Sequence, residues 1–354
     1  MRTLSRRDLL RLAVALPAVG VFKRYRALAA PNLNRVKITA IRAMAIKNIA
    51  GNCLIRIDTD AGLVGYGEAG ATGPMARARI ATMMQPNNAP LIGKDPLAIE
   101  VHFQAMTSLM HTYMAHIPTI SGIDIALWDL AGKIIGTPVS TLLGGPFRDA
   151  IPMYSHGIAN MLDKQAYRDW AQRIKAMPEG FTAFKNKAVE PMNPLFIEDV
   201  LNPPFSEAWM SLRRVTRVPL LTGEKLELLR GFKPFIDTQA VDIVHPDLSF
   251  AGGITGVKKV ADYAALFRMP VALHNVGSLI LTYANAHFRA SIQNFYRSES
   301  QLGRPNHYIE KMSTVTPPEV RKGLFKVPTG PGLGLEINPD FLKENLEDGE
   351  PYWD

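Results

Sequence analysis

The sequence predicts an α/β protein: a parallel (β/α) barrel of the TIM type that lacks about one strand with its flanking helices, joined to an α+β capping domain. Three observations carry this prediction. Residues 35–70 read as β-rich runs and residues 74–145 as helices, which makes a small α+β unit. From Ile151 onward, short apolar runs alternate with helical stretches, the pattern of parallel βαβ units. The charged residues that close these runs recur at 26, 23, 27 and 25 residues, from Glu198 through Glu224, Asp247 and His274 to Glu299. Each interval is the length of one strand, one helix and two loops.

At the N-terminus, SRRDLLRLAVALPAVGV places a twin-arginine pair ahead of an apolar run. Arg11 and Pro17 interrupt that run, which is too short for a membrane span, and RALAAPN offers an A-x-A-like cleavage site near Ala29. Residues 1–30 are therefore predicted to be a twin-arginine signal, giving a periplasmic protein with no stable membrane insertion after export. The signal also explains the charge. Of the formal +8 carried by 354 residues, residues 1–30 supply +6, seven Lys/Arg against Asp8 alone. The nearly neutral remainder excludes a basic body, and with it nucleic acid as a partner. A hydrophobic content of 47% argues for a globular chain, and the single cysteine, Cys53, excludes an intrachain disulfide. A chain exported after folding in the cytoplasm needs none.

The cap occupies residues 31–145. VKITAIRAMAI and NCLIRIDTDAGLVGYGEA read as an antiparallel meander with DAG in a hairpin turn. In IDIALWDLAGKIIGTPVSTLLGG, Ile123, Leu127, Leu130 and Ile134 share one helix face, and Gly136 and Pro138 stop the helix. Residues 146–314 are assigned to the barrel and 315–354 to a segment returning to the cap.

The barrel runs are IPMYSHG, FTAFKNK, PLFIED, VPLLTGE, VDIVHPD, MPVALHN and ASIQNF, seven where a closed barrel has eight. Lys187 and Glu198 are only 11 residues apart, and part of that distance is the strand LFIE. A parallel crossover needs roughly a dozen residues before the next strand, so no helix fits there. The span Ile151–Phe295 is 145 residues, short of the ~200 such barrels need. The strand near Leu195 is therefore expected either to pack beside the Lys185 strand or to leave a gap there.

The strand ends carry the chemistry. Glu198 and Glu224 close adjacent strands, within reach of one ion, and hard oxygen donors suit Mg²⁺. Lys185 and Lys187, at i and i+2, project to one side, where mutual repulsion and burial would lower a pKa toward that of a base. Asp247 and His274 close successive strands, so the carboxylate can fix one imidazole tautomer. Glu299 closes the last run as an acid or a substrate contact. His245, His156 and His287 read as structural.

These motifs, with DIVHPDLSFAGGI, NFYRSE and the tail VPTGPGLGLEI, resemble the enolase superfamily in its mandelate racemase and muconate lactonizing enzyme branch, over about Val36 to Ile337. Within that branch they look most like acid-sugar dehydratases of the galactonate type. The resemblance implies abstraction of the proton α to a carboxylate, an enediolate stabilised by Mg²⁺, and loss of the β-hydroxyl. It further implies a small sugar-acid substrate and a homo-oligomer. Glu198 and Glu224 match the second and third metal ligands, Lys185 and Lys187 the second-strand lysines, Asp247 with His274 the sixth- and seventh-strand pair, and Glu299 the eighth-strand acid. The first ligand, a third-strand aspartate, falls in the segment this chain lacks. Glu190 and Asp199 are the nearby carboxylates that could replace it. Two readings stay open: a lyase impaired by the lost ligand, or a catalytically silent sugar-acid binder on the same fold.

Overall fold

A computed structural model describes residues 36–49, 51–109, 116–156, 164–185, 194–300 and 311–353. The predicted leader, Lys187 and Glu190 lie outside the described residues. Among the described residues, no helix is long and apolar enough to cross a membrane.

The cap begins with an antiparallel meander, β1 (Ile38–Met44), β2 (Cys53–Thr59) and β3 (Val64–Ala69), with Gly62 in the left-handed conformation in the turn that DAG predicts. Helices α1 (Gly73–Met83), α2 (Ile99–Thr107) and α3 (Ile117–Ile135) follow, then the short α4 (Val139–Leu142). Ile123, Leu127, Leu130 and Ile134 are all buried, and Gly136 caps α3 at φ 77°. Cys53 is a buried free thiol on β2, and burial pushes its pKa up.

Helix α3 lies on β3 with almost no space between the two backbones. A Cβ at Gly67 would stand 2.0 Å from the Gly122 carbonyl oxygen and 2.7 Å from the Ala126 nitrogen. Both atoms are backbone and cannot turn aside, so Gly67→Ala must push the helix off the sheet. The expected cost is about 1–3 kcal/mol of unfolding free energy, read as a lower urea midpoint. An unchanged midpoint would show that the helix can shift without loss.

The barrel strands are β4 (Ala150–His156), β5 (Phe184–Lys185), β6 (Ile197–Glu198), β7 (Leu220–Thr222), β8 (Ile243–Val244), β9 (Val271–Leu273) and β10 (Phe295–Ser300). Between them run α5 (Lys164–Lys175), α6 (Glu207–Val215), α7 (Leu228–Asp237), α8 (Gly253–Leu266) and α9 (Leu279–Ala290). All seven strands pair in parallel, in the spatial order β6-β7-β8-β9-β10-β4-β5. Strands β5 and β6 are the two ends of this run, and no pairing joins them among the described residues. The 11-residue spacing led to the expectation that these strands either pack side by side or leave a gap, and residues 186–193, which link them, lie outside the described residues. One boundary differs from the sequence reading. ASIQNF is mostly not strand, because Ala290 still belongs to α9 and the Asn294 side chain donates to the Ala261 and Met269 carbonyls, which fixes a turn. The strand starts at Phe295.

The chain then forms β11 (Val320–Arg321) and β12 (Leu324–Lys326), an antiparallel pair that adds to the N-terminal half of β4, and α10 (Pro339–Glu344). The tail returns to the cap. The Glu350 carboxylate accepts from the Ala45 amide and, in a forked contact, from Arg77, while Asp129 on α3 accepts from the Leu333 amide. The barrel and cap have separate apolar cores, with Trp209, Phe232 and Phe235 in the first and Ile55, Ile120 and Leu127 in the second.

The cap is fastened to the rim of the barrel that carries the strand C-termini. Fully buried Glu68 on β3 accepts from Asn52 and from the Ser278 amide and hydroxyl. Ser278 is also the N-cap of α9, four residues past His274. Burial raises the Glu68 pKa against those hydrogen bonds. On the other side Ser121, Asp124 and Trp128 of α3 bond Gly252 and Thr255 at the start of α8, a few residues past Asp247.

Candidate active site

Five of the residues singled out from sequence converge at this rim: Glu198, Glu224, Asp247, His274 and Glu299. Asp247 is fully buried, and its Oδ1 accepts from the Ser249 amide and hydroxyl at 2.7 Å. Its Oδ2 accepts from Nδ1 of His274 at 2.6 Å, so Nδ1 carries a proton and Nε2 faces the mouth. That Nε2 lies 3.1 Å from Glu224 Oε2 and 3.8 Å from Glu299 Oε2. Burial works against the imidazolium, but the Asp247 hydrogen bond and the charges of Asp247, Glu299 and Glu224 outweigh it and raise the His274 pKa to about 9. Glu299, fully buried on β10, accepts from the Asn275 amide at 3.3 Å.

Glu198 ends β6 beside Glu224, which follows β7. The third group beside them is His245, at the end of β8. One ligand atom from each of Glu198, Glu224 and His245 falls within 4.8 Å of the others. His245 is fully buried, its ring 5.5 Å from that of His274 and nearly perpendicular to it. The sequence reading left His245 as structural, and the fold sets its ring beside the two glutamates.

The other expectations divide. Asp199 is not in the cluster, because its carboxylate is taken up by Thr222 Oγ1 at 2.6 Å and Lys225 Nζ at 3.1 Å. Lys185 lies on β5, paired with His156 of β4, and nothing is described of its side chain. His287 is fully buried between the Ser140 amide and the Leu333 carbonyl, away from the mouth, and burial lowers its pKa to about 4.

Under the carboxylates sits Arg289, fully buried, donating to the Leu273 carbonyl at 2.8 Å and to Ser298 Oγ. Burial lowers its pKa to about 9, and the charges of Tyr154, Glu299 and Asp247 oppose that shift. Tyr154 is buried as well, its pKa raised by burial and by the charges of Glu299, Glu198 and Glu224. Glu198, Glu224, Asp247 and Glu299 thus crowd one pocket against the cations of Arg289 and His274. A divalent cation among the first two would relieve the repulsion, and the donor set fits one.

A mouth of acid–base groups at parallel strand ends, under a cap hydrogen-bonded to the same loops, defines a capped-barrel enzyme. Two comparisons make this specific. The family described as mandelate racemase / muconate lactonizing enzyme, N-terminal domain, matches residues 32–144, and the enolase C-terminal domain-like family matches residues 171–341. The chain belongs to the enolase superfamily and is dehydratase-like. The D-xylonate dehydratase of Haloferax volcanii is 28% identical over 367 aligned positions, using 85% of this chain and 87% of that protein. Those positions outnumber the residues this chain possesses, so the relative contains positions with no counterpart here. Among solved structures, a mandelate racemase/muconate lactonizing enzyme-like protein from Rubrobacter xylanophilus superposes with TM-score 0.77 at 25% identity, covering 90% of this chain and 99% of its own. The 3,6-anhydro-D-galactonate cycloisomerase of Zobellia galactanivorans gives TM-score 0.76 at 25% identity, covering 88% and 100%.

Proposed function

We propose that this protein dehydrates a sugar acid, removing the proton α to its carboxylate and expelling the β-hydroxyl as water, after the leader directs it to the periplasm. The observation that carries the reading is the line Asp247–His274–Glu224, an oriented imidazole in contact with a carboxylate from the neighbouring strand end. The kinship with a D-xylonate dehydratase supports an aldonic acid as substrate, whether D-xylonate or a galactonate-type hexonate.

Glu198 and Glu224 would hold the divalent cation, Mg²⁺ being the ion typical of the superfamily. When bound, that ion supplies charge stabilisation to the substrate carboxylate as the α-carbon gives up its proton. One of Lys185 and Lys187, held as the neutral amine by the charge of the other, takes that proton. His274, charged near neutral pH because the surrounding acids raise its pKa to about 9, donates from Nε2 to the departing hydroxyl. Asp247 keeps the imidazole turned so that Nε2 faces the substrate. Glu299 bonds a substrate hydroxyl, and the cap excludes water and selects the chain length.

A second reading, a sugar-acid binder without turnover, is supported by one observation: no strand carrying the superfamily's first carboxylate ligand lies between β5 and β6 among the described residues. One experiment separates the two. The purified chain is incubated with a panel of aldonates in Mg²⁺, and the 2-keto-3-deoxy acid is measured alongside calorimetric binding. Formation of the keto acid is expected. Tight binding of an aldonate with no product and no exchange of its α-proton with deuterated water would establish the binder.

A further inference from the structure

We infer that His245 is the third protein ligand of the cation site, replacing the missing carboxylate, and that it turns the site from Mg²⁺ toward a first-row transition ion such as Mn²⁺. The inference rests on the proposal that Glu198 and Glu224 hold a cation, and it concerns which atom completes the set.

The tautomer is the first step. Nδ1 of His245 lies 2.8 Å from the carbonyl oxygen of Ala272, a group that can only accept, so Nδ1 is the protonated nitrogen. In the neutral ring the lone pair is then on Nε2. This is how ligating histidines are commonly prepared, with one ring N–H held by a backbone carbonyl and the other nitrogen bare toward the ion.

Burial is the second step. The His245 side chain is fully buried, and Nε2 makes no hydrogen bond among the described residues. The nearest charged atom is Glu198 Oε1 at 3.3 Å, and it approaches outside hydrogen-bond geometry. His245 Nε2 is sealed from water and Glu198 is half-buried, and a bare nitrogen lone pair and a carboxylate oxygen this close repel each other unless something positive stands between them. Glu224 closes the third side within the same 4.8 Å. The three donors come from consecutive strand ends, β6, β7 and β8, and need no loop rearrangement to meet.

Selectivity follows from the donor atoms. Mg²⁺ takes oxygen ligands and holds its waters, whereas imidazole suits the transition ions. Exchanging a carboxylate for an imidazole also removes one negative charge, which weakens the hard ion most. The missing strand and the histidine therefore belong together: the chain that lost an oxygen ligand carries a nitrogen in its place.

The test uses the full chain stripped of metal by a chelator, with MgCl₂ and MnCl₂ titrated calorimetrically. The wild type is expected to bind Mn²⁺ at least ten times more tightly than Mg²⁺. His245→Gln keeps a similar shape without the imidazole, and is expected to weaken Mn²⁺ at least tenfold while changing Mg²⁺ less than threefold. Equal effects on both ions, or none, would overturn the proposal. A second measurement serves if the glutamine variant fails to fold. Spin-echo spectroscopy of the Mn²⁺-loaded wild type is expected to show a directly bound nitrogen that persists in His274→Asn; no nitrogen, or one lost in that variant, would equally overturn it. Glu198→Gln separates this failure from that of the underlying reading. If it abolishes binding of both ions while His245→Gln does nothing, the cation site stands and only its third ligand is wrong; if it changes neither ion, both ideas fall.

Discussion

His274→Asn is expected to lower kcat for the aldonate the protein accepts by about 10²–10⁴-fold, the usual contribution of one general acid or base. KM should move by only a few fold, because asparagine still fills the site and the substrate carboxylate is held elsewhere. The reason is geometric. His274 lies against Asp247, Glu224 and Glu299 together, at 2.6, 3.1 and 3.8 Å. Removing the imidazole leaves three carboxylates with no proton to pass on. Asp247→Asn is expected to act in the same direction, since an amide no longer compels Nδ1 to carry the proton and Nε2 to face outward. Steady-state kinetics with single-turnover measurement distinguishes the chemical step from binding. A His274→Asn enzyme with unchanged kcat would remove the residue from the reaction and with it the proposed route for the leaving hydroxyl.

Much of this arrangement was legible because it is periodic. Strand, helix and loop lengths repeat, so Glu198, Glu224, Asp247, His274 and Glu299 announce themselves by spacing even where the strands are two residues long, as β6 and β8 are. The missing crossover helix after β5 was legible for the converse reason, a spacing too short to hold one. The contacts that escaped are those without local periodicity. Glu68 meets Ser278 across 210 positions of sequence, and Asp124 meets Thr255 across 131. A buried acid on a strand or helix gives no sign of which distant amide it will accept from. His245 escaped for another reason. A histidine next to a proline at a strand end is ordinary, and only the convergence of two glutamates from neighbouring strands makes its bare nitrogen notable.

The docking of the cap is expected to weaken as pH rises, and Asp124 is the cause. It is fully buried in α3, where Oδ2 accepts from the Thr255 amide at 2.9 Å and Oδ1 has no hydrogen-bond partner among the described residues. Burial penalises the carboxylate more than the Thr255 and Ile254 groups at the start of α8 favour it, so the pKa rises from an ordinary 3.8 to about 7. The folded state thus holds this proton more tightly than the unfolded chain does. Its stabilising contribution is complete below about pH 4 and is lost as pH rises through about 7, amounting at most to about 4 kcal/mol. Asp124→Asn is uncharged throughout and keeps an oxygen for the Thr255 amide. Relative to the wild type it should gain stability between pH 5 and pH 8, which urea unfolding at the two pH values measures directly. A variant destabilised equally at both would show that the carboxylate is ionised in the fold and that the N-terminus of α8 outweighs burial. The consequence reaches the active site, because the same helix start follows the loop that carries Asp247: a cap loosened in mild alkali should raise KM before it lowers kcat.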